Sequence, residues 1–265
     1  MRLKLSTLLT LLFVFPFSAQ GQDSAELAQQ LSNPVASLIS VPLQTNFDDG
    51  FGSNDEGYRY NVNVQPVIPF SLNDEYNLIS RTIMPLTYQH NIVAGAGSQT
   101  GLGDVVQSLF FSPKAPTASG WIWGAGPVFL LPTGTEKLLS GEKWGVGPTA
   151  VMLKQNQGWT YGALANHIES FAGDSNRADI SLTFVQPFLV YNTPDGTSYA
   201  LNFESSYDWE ASELSLPVNL MVNKVLKVRN QLVQVGGGVR YWVDSPEGAA
   251  DGWGLRFNLV FLFPK

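Results

Sequence analysis

Apolar and polar residues alternate along most of this chain with a period of two. The alternation is clearest in the four segments 58–65, 199–209, 214–223 and 255–263. In each of them, aromatic or aliphatic residues occupy one face, and most positions of the other face are polar. Because successive side chains of a β-strand point to opposite faces, each segment predicts a strand with one apolar and one polar face.

The alternation predicts a closed barrel. Eight further segments alternate more weakly: 37–47, 76–88, 102–112, 121–132, 144–154, 159–169, 180–191 and 232–242. The total is about 12 strands of about ten residues, the length of a tilted strand that crosses an outer membrane. The predicted fold class is all-β, a transmembrane antiparallel β-barrel of about 12 strands with a short N-terminal helix. A soluble periplasmic β-sandwich is the rival fold, and the low share of charged residues, 14%, counts against it.

The N-terminus divides into two predicted parts. Residues 1–21 combine basic Arg2 and Lys4 with a short apolar run and small residues, which predicts a secretory signal peptide. A membrane helix is the alternative, but the run is too short to span and contains Pro16. Residues 22–36 predict a helical segment that could plug the lumen, and 37–265 form the predicted barrel.

The connections between the predicted strands alternate in length. Odd-numbered connections are mostly longer and rich in Gly and Asp, whereas even-numbered ones are mostly tight turns. Outer-membrane barrels have long outer loops and short periplasmic turns. Tryptophan and tyrosine cluster at strand ends, as at Trp121, Trp159, Trp209 and Trp253, which is typical of the lipid–water boundary. Aromatic residues in the core of a soluble β-protein are the alternative.

Seven prolines fall inside or near the predicted strands: Pro66, Pro69, Pro85, Pro127, Pro148, Pro187 and Pro217. Proline removes a hydrogen-bond donor from the ladder, and a closed barrel has no free edge to accommodate it. We therefore expect the strands to end or bulge near these positions.

Composition excludes several kinds of site. The 265 residues carry a net charge of −7, with two histidines and no cysteine. The absence of cysteine excludes disulfides, thiolate zinc sites and cysteine nucleophiles, and the acidic balance argues against nucleic-acid binding. The chain also lacks catalytic motifs with the spacing of known hydrolases or nucleotide-binding loops. No cofactor and no metal are predicted.

The polar face of the strands carries the candidate site. An arginine that faces lipid at mid-membrane costs about 2–4 kcal/mol, so the recurring arginines are expected to face the lumen. The predicted pore-lining residues are Arg59, Asn61, Asn63, Gln65, Arg81, Asn202, Glu204, Asp208, Asn219, Asn223, Arg240, Arg256 and Asn258. They would bound a water-filled pore or pair into a plug.

Two other functions remain open from the residues alone. His167 and Ser170 could belong to a lipid-acting enzyme, but their spacing of three puts them on opposite faces of a regular strand. The facing of 159–169 is left undecided because both of its faces carry apolar residues. A structural or adhesive barrel, whose acidic loops bind cations or surface polysaccharide, is the third possibility.

The chain from about Asn33 onwards resembles a family of bacterial outer-membrane transporters labelled as components of the meta-pathway of phenol degradation. The resemblance rests on segments such as LSNPVASLISVPLQTNFD (31–48), WGAGPVFLLPT (123–133) and YWVDSPEGAADGWGLRF (241–257). It implies an outer-membrane barrel that takes up small, often aromatic compounds, and it assigns no substrate residues. The tail FLFPK departs from the aromatic terminus of many barrels.

Taken together, these features predict a passive channel for small solutes in the bacterial outer membrane. The expected partners are outer-membrane lipid and lipopolysaccharide, the barrel-assembly machinery and a small-molecule solute. Enzymatic activity is not expected.

Overall fold

The chain forms a closed antiparallel barrel of 12 strands with one short helix at its N-terminal end. The computed structural model describes residues 21–93 and 95–264, so the predicted signal peptide lies outside them except for Gly21. The barrel closes where the first strand pairs with the last, from Ile39↔Phe263 to Phe47↔Leu255. The predicted fold class is confirmed.

Fifteen strand segments build the 12 strands. The helix is α1 (Gly21–Leu31), and the segments are β1 (Ile39–Phe51), β2 (Gly57–Val64), β3 (Val67–Ser71), β4 (Tyr76–His90), β5 (Ser98–Leu102), β6 (Val105–Pro113), β7 (Trp121–Leu131), β8 (Lys143–Asn156), β9 (Trp159–Gly173), β10 (Ser181–Asn192), β11 (Thr197–Phe203), β12 (Ser205–Asp208), β13 (Glu213–Val228), β14 (Gln231–Asp244) and β15 (Gly252–Phe263). Three strands are interrupted, so β2 with β3, β5 with β6 and β11 with β12 each count as one.

The prolines act differently from the expectation. Pro66 does break a strand, between β2 and β3, and the ladder shifts register between Leu216 and Pro217. Pro127 and Pro148, however, lie inside β7 and β8 and face each other directly. The prolines instead coincide with a gap in the neighbouring ladder, because the pairing of β6 with β7 is interrupted between Ser108↔Val128 and Phe111↔Ala125. The expectation that each proline ends or bulges its strand was therefore wrong for these two, and it was also wrong for Pro85 and Pro187, which lie inside β4 and β10 without a register shift against β2 and β9.

The two ends of the barrel differ. At the end where β1 begins and β15 ends, turns as short as 157–158 and 229–230 join the strands. At the opposite end the connections include 91–97, 132–142, 174–180 and 245–251. We call these the inner and the outer end. No helix in the described part of the chain is both long and apolar enough to cross a membrane.

The outward face of the wall is apolar. In β15, Leu255 and Phe257 are exposed, whereas Arg256 between them is 1% exposed. Aromatic rings pair on this face near strand ends, as Tyr241 does with Trp253 and Trp159 with Tyr191. A closed barrel with such a face satisfies its backbone internally and presents apolar side chains to lipid.

The N-terminal segment lies at the inner end of the barrel. Leu27 and Ala28 of α1 are buried in a cluster with Leu38, Val225 and Val260. The helix ends at Leu31, three residues before Pro34. Ser32 donates its Oγ–H to the carbonyl of Ala28, 2.9 Å away, and this bond replaces a further helical turn.

Candidate functional site

The strand register places the predicted pore-lining residues opposite one another. Asn61 and Arg256 flank Asn46 on its two sides, and Asn63 and Asn258 flank Gln44 in the same way. Asn219 of β13 is likewise flanked by Asn202 of β11 on one side and by Arg240 of β14 on the other. These polar positions share the face opposite to the exposed Leu255 and Phe257, so they lie on the inward side of the wall.

An ion-pair cluster of Asp48, Glu204, Arg240 and Arg256, which we call the charged belt, crosses the lumen. Arg256 donates two hydrogen bonds to Glu204, Nη1 to Oε1 at 2.7 Å and Nη2 to Oε2 at 2.8 Å. Its Nε donates to Asn46 at 2.7 Å. Arg240 lies between the two carboxylates, 3.5 Å from Asp48 Oδ2 and 3.6 Å from Glu204 Oε2. Both carboxylates of the belt, Asp48 and Glu204, are therefore paired with its arginines.

Two inward arginines remain outside these ion pairs. Arg59 donates its Nε–H to Gln89 Oε1 at 3.0 Å and lies over the ring of Phe51. Arg81 donates to Gln65 Oε1 at 3.1 Å. Within the described residues, neither guanidinium has a carboxylate within 4.0 Å. The inward face therefore carries two guanidinium groups beside the belt that take part in none of its ion pairs.

The remaining predicted residues have mixed roles. Asn219 donates to Asn202, and Asn258 donates to Asn223, so these amides brace neighbouring strands. Asp208 lies at the outer end and accepts hydrogen bonds from the backbone N–H groups of 210 and 211. Its position is that of a turn cap at the rim.

The outer loop 132–142 folds over the lumen, an arrangement that no pattern in the sequence predicts. Asp104 accepts hydrogen bonds from the N–H of Gly134, the hydroxyl of Ser140 and the N–H of Gly141, at 2.6–3.0 Å. Gln89, fully buried, donates to the carbonyl of Leu138. A cavity of about 320 Å³ lies beneath the loop and is lined by Arg59 among others. No sequence pattern signals this arrangement, because two of the three donors to Asp104 are backbone N–H groups.

Asp104 anchors loop 132–142, and replacing this aspartate should release the loop. In Asp104→Asn, the amide keeps one acceptor but can no longer serve three donors as an anion does, and we expect faster tryptic cleavage after exposed Lys137. The measurement is limited proteolysis of the folded protein with mass spectrometry. Asp55→Asn, in another outer loop, is the control. Equal cleavage rates in all three proteins would show that Asp104 does not hold the loop.

The N-terminal segment is tied to the inner end by polar contacts as well as apolar ones. Gln155 donates its Nε2–H to the carbonyl of Gln29 at 2.7 Å. Asn192 donates to Ser32 Oγ at 3.2 Å. Val35 is buried with Ile79, Phe110 and Leu153 on the barrel wall. The segment therefore packs against several sides of the inner mouth.

His167 does not form the catalytic pair that the lipase hypothesis needs. Its Nδ1 lies 2.9 Å from Thr183 Oγ1 and its Nε2 lies 3.2 Å from Glu169 Oε1. Ser170 contacts Asp179 and the N–H of Ile180 instead. Among the described residues, His167 and Ser170 therefore have different hydrogen-bond partners and do not contact each other.

The outer loops hold their acids in local contacts. Hydrogen bonds from the backbone and side chain of Asn176 hold the pKa of Asp174 below its usual range. The Lys143 ammonium, 2.8 Å away, does the same for Asp179. In the described residues, no three carboxylates or imidazoles come together as metal ligands.

Comparisons with known proteins support the fold. No protein-family model matches the chain, and no curated protein is significantly similar to it in sequence. Among solved structures, it is similar to the COG4313 outer membrane channel from Pseudomonas putida F1, with a TM-score of 0.67 and 17% identity, over 85% of this chain and 94% of that one. Outer membrane phospholipase A from Escherichia coli gives a TM-score of 0.47 at 10% identity, over 85% and 96%. The chain is a β-barrel of the bacterial outer membrane.

Proposed function

We propose that this protein is a passive channel for small solutes, with small aromatic and other partly hydrophobic compounds as its substrates. The observation that carries the proposal is the inward face: polar side chains line cavities on both sides of the charged belt, whereas the outward face is apolar. A barrel that served only as a scaffold would gain nothing from arginines that lack carboxylate partners, since burying them costs free energy.

Similarity to known proteins gives further support to the proposal. The Pseudomonas putida structure with the same fold is described as a channel, and the resemblance to phenol-pathway transporters adds the solute class. The proposal includes contact with lipopolysaccharide and assembly by dedicated barrel-assembly machinery as the partners expected of a protein at this location. In this proposal the pore-lining residues act as a selectivity filter, and the segment 22–36 acts as a plug.

Reversing the charge of Arg59 tests the channel proposal directly. In planar bilayers under a salt gradient, Arg59→Glu should shift the reversal potential toward cation selectivity, because the change places a carboxylate in the cavity beneath loop 132–142. Arg229→Glu makes the same charge change on an inner turn and should shift it much less. An unchanged reversal potential would remove Arg59 from the path. Silence of both the wild type and a variant with its plug released would overturn the channel proposal itself.

A further inference from the structure

A second cavity lies between the N-terminal segment and the barrel wall, on the inner side of the charged belt. Its volume is about 250 Å³. The segment 30–36 forms its floor, and inward side chains of β1, β4, β10, β11, β14 and β15 form its walls. Asn202 and Asn258 line it, each two residues from a member of the belt, Glu204 and Arg256. A solute that passed the belt would arrive here before it met the plug.

Arg81 is the one charged side chain among the described residues that line this cavity. The other polar groups are uncharged amides and hydroxyls, such as Gln65, Asn202 and Gln234. The remaining wall is apolar and includes Leu31, Phe188 and Val190. The cavity therefore combines one fixed positive charge with an apolar surface and has no acid of its own.

The surroundings of Arg81 leave its guanidinium available. A guanidinium has five N–H donors, and among the described residues Arg81 uses one of them in a hydrogen bond, to Gln65 Oε1. Gln65 is held in place because its Nε2–H donates to Gln44 Oε1 at 3.2 Å. Glu204, an acid of the belt, is already engaged by Arg256 and Arg240. The guanidinium is therefore oriented by Gln65 and has no carboxylate within 4.0 Å among the described residues.

We propose that this cavity binds a small organic monocarboxylate, with Arg81 clamping the carboxylate and the wall around Phe188 receiving the apolar body. Arginine presents a planar fork that matches a carboxylate with two parallel hydrogen bonds. The anion would supply the counter-charge that the cavity lacks. The proposal rests on the proposed channel function and specifies the substrate class of the same lumen.

The size of the cavity narrows the ligand. Pockets for drug-sized molecules measure about 300–1,000 Å³, so a cavity slightly below that range fits a single ring or a short branched chain. The amides around it can hydrogen-bond a ring substituent. Benzoate is therefore a suitable probe, and benzyl alcohol is its neutral counterpart of similar shape.

The test is calorimetric titration of the full protein in detergent. Benzoate should bind the wild type, whereas benzyl alcohol should bind about tenfold more weakly or worse, because hydrogen bonds to charged groups are the strong ones. Arg81→Gln should lose benzoate affinity by at least about tenfold, and Arg81→Lys should lie between them, since it keeps the charge but not the fork. Arg229→Gln, on an exposed turn, should bind as the wild type does.

The outcomes separate this proposal from the channel proposal. Equal benzoate affinity in the wild type and Arg81→Gln overturns the Arg81 site, as does acetate that binds as tightly as benzoate, since the apolar wall would then contribute nothing. Arg81-dependent binding without benzoate flux into liposomes, in both the wild type and the variant that lacks 22–36, would overturn the channel proposal but not the Arg81 site. Flux without Arg81-dependent binding would do the reverse. Heat-dependent migration on gels verifies that each variant is folded.

Discussion

Releasing the N-terminal segment from the inner mouth should raise single-channel conductance severalfold. A helix with its side chains is about 10–12 Å across, so α1 and the residues after it fill much of the opening of a 12-strand barrel. Leu27 and Ala28 are buried against Val225 and Val260, and Gln155 holds the carbonyl of Gln29. Deletion of 22–36 removes this obstruction while leaving every strand intact.

A reversible tether gives a sharper form of the same experiment. The chain contains no cysteine, so Ser32→Cys with Asn192→Cys introduces the sole pair of thiols at two side chains in hydrogen-bond contact. Under conditions that displace the segment, conductance should stay low while the disulfide is intact and should rise on reduction.

The control tether is placed away from the plug. Ser206→Cys with Ser215→Cys joins two residues that face each other across β12 and β13 near the outer end. Its reduction should not change conductance. If deletion of 22–36 leaves conductance unchanged, and if reduction of the first tether does nothing, the segment does not plug the channel.

The fold could be predicted because most strands face water in the lumen on one side and lipid on the other. Polar and apolar residues therefore alternate along them with a period of two. The prediction was weakest where that contrast is lost. Strand β13 continues to Val228, five residues beyond the predicted end at Asn223. Val225 faces inward there but packs against α1, so both faces of the strand are apolar. Leu164 in β9 is similarly buried in the cluster that contains Val35 of the N-terminal segment, so both faces of that strand are apolar and its facing could not be decided.

The site was predicted as a set of residues but not as an arrangement. The polar face identifies Arg81, Arg240 and Arg256 as lumen residues, because an arginine in lipid is too costly. It cannot show that Glu204 serves Arg256 and Arg240 while Arg81 is left free, since these residues lie on four strands separated by long stretches of sequence. The inward fold of loop 132–142 was missed because Asp104 organises it through backbone N–H groups, which carry no sequence pattern.

Removing the Glu204 carboxylate should cause the largest loss of stability among the lumen substitutions. In Glu204→Gln, the side chain of Arg256, 2% exposed, loses both ionic hydrogen bonds, and Arg240 loses one of its two acids. Breaking a buried ion pair by removing one partner costs about 3–5 kcal/mol, because an unpaired charge remains in a poorly solvated place. We expect a decrease of that size in the free energy of unfolding, measured by guanidinium titration in lipid vesicles.

The matched control is Glu213→Gln, which makes the same chemical change at the exposed start of β13. It should alter the free energy of unfolding by no more than about 0.5 kcal/mol. A double variant, Glu204→Leu with Arg256→Leu, should recover much of the loss, since apolar replacement of both partners removes the stranded charge. If Glu204→Gln proves as stable as Glu213→Gln, water in the lumen solvates the belt fully. The ion pairs would then act on passing solutes without holding the barrel together.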